Sequence, residues 1–210
     1  MESLYESWAK RNPSWERRYQ STVVDVFCDY GKGVSSFLEA RGKIFGAGYE
    51  IFIIAFFIGL YHNRTKPLIE DRDKKKVFGQ AIQYWGNIEN RIGRTSYGNI
   101  RRYIFAALIA RTDIDFIALD KGEITLRTVV DKMMEKMEEY ANYGFDYIED
   151  KLANDPNYYF SDVAFLTEIT NMLVASKTTD SDNDFNTEML SMSLGSTALN
   201  VPVSMPSTKI

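Results

Sequence analysis

The 210-residue chain holds one cysteine, Cys28, and one histidine, His62. A lone thiol excludes an internal disulfide and a cysteine metal cluster, and it fits a reducing cytoplasm. One histidine with one cysteine falls short of a zinc ligand set. Nucleophilic catalysis through imidazole has only His62 to draw on, and no spacing sets a serine or cysteine beside it. Also missing is a run of about 20 apolar residues, the length a membrane span requires. The longest uncharged apolar run, residues 51–61, has eleven. The opening Met1-Glu2-Ser3-Leu4 has no basic stretch leading into an apolar one, so no secretory signal is predicted. The expectation is a cytoplasmic chain without a membrane partner.

The run Ile51 to Tyr61 organises what is present. Its apolar residues follow neither a period of two nor one of 3.6, so no face is left for water. This predicts a central core helix, starting near Glu50 and buried all round, with the rest of a single domain wrapped about it.

The other segments carry helical signals. Asn12-Pro13 reads as an N-cap and first helical position, followed by Trp15, Tyr19, Thr22, Val23, Val26, Phe27 and Tyr30 on one face. Gly31 and Gly33 end that helix, and residues 34–41 form a short helical piece. Val77, Phe78, Ala81, Ile82, Trp85, Ile88 and Ile92 predict an amphipathic helix over 77–92, with Gly93 as its C-cap. A further helix over 99–111 turns Ile100, Tyr103, Ile104, Ala107 and Leu108 inward and Arg101 and Arg102 outward. Residues 113–122 connect, with a turn at Asp120-Lys121-Gly122 or a brief strand over 116–119. Thr125 is an N-cap, with Ile124 and Val129 as its hydrophobic staple. The long helix beyond it places Val130, Met133, Met134, Met137, Ala141, Gly144, Ile148 and Leu152 on one stripe and ends at Asp155-Pro156. Ser161 caps a last helix.

From Ser176 the composition shifts to Ser, Thr, Asp and Asn, too polar to order itself, with an apolar island at Met189, Leu190, Met192 and Leu194. The fold class is therefore all-α: a bundle of five or six helices over 1–175 around the buried helix, and a disordered tail over 176–210.

Charge is segregated along the chain. Residues 1–63 balance at seven basic and seven acidic side chains, whereas 64–111 carry eleven basic against four acidic and 112–210 seven basic against eighteen acidic. The basic stretch could meet the acidic helix, within one chain or between chains, or offer phosphate contacts through Lys74, Lys75, Lys76, Arg91, Arg94, Arg101 and Arg102. Trp85 and Tyr103 fall on inward stripes, which reduces the aromatics left for base stacking, and the pI of 5.2 argues against a dedicated DNA-binding protein.

Cofactor motifs fail on inspection. Gly42-Lys43 precedes Ile44 and not Ser or Thr, and Gly46-Ala47-Gly48 has Phe52 where a dinucleotide fingerprint needs Gly or Ala. Asp113, Asp115, Asp120 and Glu123 suggest a calcium loop, but Ile117 and Ile124 occupy two of its ligand positions. No cofactor and no metal are expected. Glu50 and His62, at the ends of the apolar run, form a polar cluster only if those ends fold over; otherwise Glu50 is a first-turn carboxylate favoured by the helix dipole and paired with a cation such as Arg41.

The piece Ile54-Ala55-Phe56-Phe57 resembles the central helix of DndE-type proteins, small helical components of bacterial DNA phosphorothioation systems. The resemblance is confined to that short stretch, carries over no site residue, and implies a DNA-modification or defence setting as one alternative. The leading expectation is a non-catalytic interaction or adaptor subunit of a cytoplasmic multiprotein assembly, joined through a protein partner or a second copy. The alternatives are a nucleic-acid-binding component acting through residues 64–111 and an enzyme centred on Glu50 and His62.

Overall fold

The computed structural model describes residues 2–28, 44–87, 95–161 and 163–174. The fold is predominantly helical. In chain order it comprises α1 (Leu4–Ala9), β1 (Ser14–Glu16), a π-helical turn at Gln20–Val24 running into α2 (Asp25–Phe27), α3 (Gly48–His62), β2 (Lys75–Val77), α4 (Ile100–Arg111), α5 (Phe116–Asp120) and α6 (Leu126–Asn154). Two compact units are present, Met1–Phe165 and Leu166–Ile210; in the second, residues 166–174 are helical. The expected tail over 176–210, the helical piece over 34–41, and Arg41, Arg91 and Arg94 lie outside the described residues.

The apolar run forms α3 and is buried over most of its surface, with Ile54, Phe57 and Leu60 half-buried and Tyr61 41% exposed. Ile51, Phe52, Ala55, Phe56 and Ile58 are inaccessible or nearly so. Asn63 ends the helix in the left-handed conformation at φ 51°, with Arg64 N–H donating back to the Gly59 carbonyl at 3.0 Å. Its main partner is α6. The two helices run antiparallel, because Ala55 faces Gly144 while Gly59 faces Tyr140. They touch backbone to backbone: a Cβ on Gly144 would lie 1.9 Å from the Ala55 carbonyl oxygen, and one on Gly59 would lie 2.2 Å from that of Tyr140. Only hydrogen fits at either position. Phe52, Trp15, Tyr19 and Phe145 pack as rings around this contact.

The α6 helix begins and ends where its caps require. Thr125 Oγ1 accepts the Thr128 N–H at 3.1 Å, and Asp155-Pro156 stops the helix after 29 residues. Met133, Met134 and Met137 are all buried core.

Two predicted helices are corrected. Beyond Pro13 the backbone is extended, because β1 pairs antiparallel with β2: Ser14 faces Val77, Trp15 faces Lys76 and Glu16 faces Lys75. Among the described residues the helical pattern holds over 20–27, and Tyr30, Gly31 and Gly33 of that prediction lie outside them. The chain is thus not purely helical. Over 77–87 there is no α-helix either; Phe78, Ile82 and Trp85 reach the core from a loop with one short 3₁₀ turn, Ile82–Tyr84. The physical reason is tertiary: Val77 pairs in the ribbon, the Phe78 and Ile82 N–H groups donate to the Pro13 and Arg11 carbonyls at 3.1 and 3.0 Å, and Gly86 at φ 76° leaves the helical region. Residues 88–92 of that prediction lie outside the described residues. In α4, Ile104 and Leu108 face inward as expected, but Tyr103 is 67% exposed. Residues 116–120 are helical, which removes the alternative of a strand, and the turn at Lys121-Gly122 follows with Gly122 at φ 74°.

Candidate functional site

Glu50 occupies the first turn of α3 and is 7% exposed. Its carboxylate accepts the Gly46 N–H at 2.6 Å through Oε2 and the Tyr97 O–H at 2.5 Å through Oε1. Burial, then the bond to Glu50, pushes the Tyr97 phenol well above its ordinary value. The carboxylate therefore ties the start of α3 to the segment leading into α4. Beside it opens a cavity of about 310 Å³ walled by Ile44, Phe45, Ile53, Ile54 and Ile100.

His62 stands at the far end of the same helix. Twelve residues at about 1.5 Å each put the two positions about 18 Å apart along the axis, and α3 is unbroken between them. The ends do not fold over, so Glu50 and His62 form no cluster. His62 sits among aromatics of α6, with Nδ1 3.2 Å from the Tyr143 hydroxyl and its ring edge-on to Tyr147.

The expected cations are dispersed. The Arg101 guanidinium donates to the backbone carbonyls of Gly98 and Gln83, which clamps the 3₁₀ turn to α4. Arg102 is exposed on the next position. Lys74, Lys75 and Lys76 lie at and beside β2, on the outer strand of the two-stranded ribbon. Lys76 Nζ donates to Gln20 Oε1 at 2.7 Å and rests over the Trp15 ring, and Lys74 Nζ is 3.5 Å from Asp71.

Sequence reasoning missed a charged network behind this ribbon. Buried Glu16 accepts Asn142 Nδ2 at 3.0 Å, Ile69 N–H at 2.9 Å and Arg18 Nε at 2.7 Å. Arg18 also pairs with Asp146 and Glu149 of α6, and Asp146 in turn takes Lys66 and the Tyr19 hydroxyl. Burial raises the carboxyls of Glu16 and Asp146, but for Glu16 the donors Arg18, Ile69 and Asn142, and for Asp146 the donors Lys66, Tyr19 and Arg18, outweigh it and hold both below the usual range. Glu138 lies on the other side of the balance. Its carboxylate accepts the Ser14 N–H at 2.7 Å, but burial outweighs that bond and pushes it up to about 6. The acidic face of α6 thus meets the amino-terminal cations Arg11 and Arg18, with Lys66 alone from the basic segment among the described ion pairs.

Among the described residues no group of three or more His, Cys, Asp or Glu side chains could hold a metal ion, and no helix is long and apolar enough to cross a membrane. No protein-family model, no curated protein and no solved structure matches this chain.

Proposed function

We propose that the protein is a non-catalytic interaction subunit of a larger cytoplasmic assembly, built as a bundle of five or six helices around α3. The observation that carries this reading is the exposure of large apolar side chains on both α4 and α5. Tyr103, Phe116 and Ile117 are 67%, 47% and 68% exposed on two consecutive elements. Single exposed apolar side chains are ordinary, but large ones concentrated on neighbouring elements mark contact surfaces. Affinity capture of wild type and of Tyr103→Ser/Ile117→Ser from the native cells, after nuclease treatment, tests the reading. A protein retained by wild type and lost from the variant supports it; capture of the same proteins by both overturns it.

A second reading, nucleic-acid binding, is favoured by one observation. The ribbon carries Lys74, Lys75 and Lys76 to the surface and sets Arg17 beside them, since Arg17 N–H donates to the Lys74 carbonyl at 2.8 Å.

A further inference from the structure

We infer that the ribbon face formed by Arg17, Lys74 and Lys76 is a binding site for the phosphodiester backbone of a nucleic acid, an inference that rests on the second reading above and locates its site. Strand pairing produces the juxtaposition. Trp15 faces Lys76, and the bond from Arg17 N–H to the Lys74 carbonyl continues that register by one pair. The ladder itself ends at Glu16 and Lys75, and this bond sets Arg17 opposite Lys74 at its end. Lys76 rests over the Trp15 ring, and Arg17 and Lys74 follow as the next pair of the register.

Like charges set opposite one another in an antiparallel pair are destabilising, so this arrangement is costly without an anion. The local acids compensate only in part. Asp71 spends one carboxylate oxygen on the Asp73 N–H at 3.0 Å and stands 3.5 Å from Lys74 with the other. Arg18, the neighbouring cation, is fully engaged with Glu16, Asp146 and Glu149. Arg17 gives only its Nε–H to the chain, at the Lys75 carbonyl, 2.8 Å away. Arg17 is exposed, and its other guanidinium nitrogens have no partner among the described residues, which leaves them for a phosphate. A concavity of about 180 Å³, walled by Glu16, Arg17, Arg18, Ile69, Asp73 and Lys74, opens at the Arg17–Lys74 end of this face, and Lys76 lies outside it. Such a face neutralises charge without reading bases, so it binds sequence-independently.

The test is binding of a 20-base-pair DNA duplex to the full chain across a salt series. Each phosphate contact contributes about −0.9 to the slope of log K against log salt, so three contribute about −2.7, or roughly 40-fold in affinity between about 50 and 200 mM. The variant Arg17→Gln/Lys74→Gln/Lys76→Gln is expected to lose that share of the slope, whereas Arg102→Gln on α4 keeps it. Asp73→Asn, which removes an acid from the same concavity, is expected to tighten binding, an outcome that misfolding does not produce. If the duplex binds the triple variant and wild type with equal slope, and Asp73→Asn changes nothing, the site is elsewhere and only the second reading survives. If wild type binds no duplex at low salt, both fail.

Discussion

Replacing Gly144 with alanine tests the contact on which the fold depends. The added methyl would sit 1.9 Å from the Ala55 carbonyl oxygen and 2.6 Å from its Cα, where real Cβ atoms essentially never come within 3.0 Å. Both obstacles are backbone, so no rotamer change relieves them; α3 has to move off α6 by about 1.1 Å. A displacement of that size forfeits a quarter to a half of the dispersion energy of each contact it opens. Overpacking of this kind costs about 3–4 kcal/mol, at or above the top of the usual range. Alanine returns about 1 kcal/mol through its better helix propensity. The net loss is about 2–3 kcal/mol, which at an m-value of about 2 kcal/mol/M lowers the urea midpoint by about 1–1.5 M. Far-UV circular dichroism during urea unfolding reads it directly. Gly79→Ala, where the new methyl meets nothing within 4 Å, serves as the control and stays within about 0.5 kcal/mol of wild type. A Gly144→Ala midpoint equal to that of wild type refutes the backbone contact.

Other outcomes follow from the polar core. Tyr97→Phe removes a charge-assisted bond from buried Glu50 and lowers stability by about 2 kcal/mol in the same urea assay; no change would mean that Tyr97 does not hold the start of α3. Asn142→Ala strips a donor from Glu16 and from the Lys66 and Pro67 carbonyls and costs about 2–3 kcal/mol. Glu138 gives a pH signature. Its folded value near 6 lies above the ordinary 4.5, so its contribution is full below about pH 4.5 and is lost as pH rises through about 6, a change of about 2 kcal/mol. Glu138→Gln is therefore more stable than wild type at neutral pH and equal to it near pH 4; a constant difference across that window contradicts the assignment. Thr125→Ala removes the α6 cap and costs about 1 kcal/mol by thermal unfolding.

Local signals with a single physical cause were legible in the sequence. The uncharged, period-free run 51–61 pointed to a core helix, and α3 is one over most of its surface, although Ile54, Phe57, Leu60 and Tyr61 leave part of it open. Thr125 and Asp155-Pro156 bounded α6 because caps and proline act within one turn. The failures came where tertiary pairing overrode a local pattern. Trp15 and Tyr19 stand four apart in sequence, as on a helix, yet Trp15 belongs to a strand held between α6 and Lys76. Val77 read as an inward helical position and is 57% exposed on β2. Gly79 and Gly86 stood within the helix predicted over 77–92, but pairing of Val77 in the ribbon and the bonds of Phe78 and Ile82 to the Pro13 and Arg11 carbonyls displaced it. For the candidate surfaces, the cluster of three lysines was visible, but Arg17 lay more than fifty residues away and joined it only through strand register. Asp146 looked like part of a solvated helix face, and Arg18 and Lys66, both distant in sequence, bring it into the network.

The most direct test of the interaction-subunit account is site-specific photocrosslinking in the protein's own cells, with the crosslinking residue placed at Tyr103, at Ile117 and, as control, at exposed Thr128 of α6. The account predicts a protein adduct of the same mass from positions 103 and 117 that is absent at 128. No adduct at 103 and 117, or the same adducts at all three positions, contradicts it.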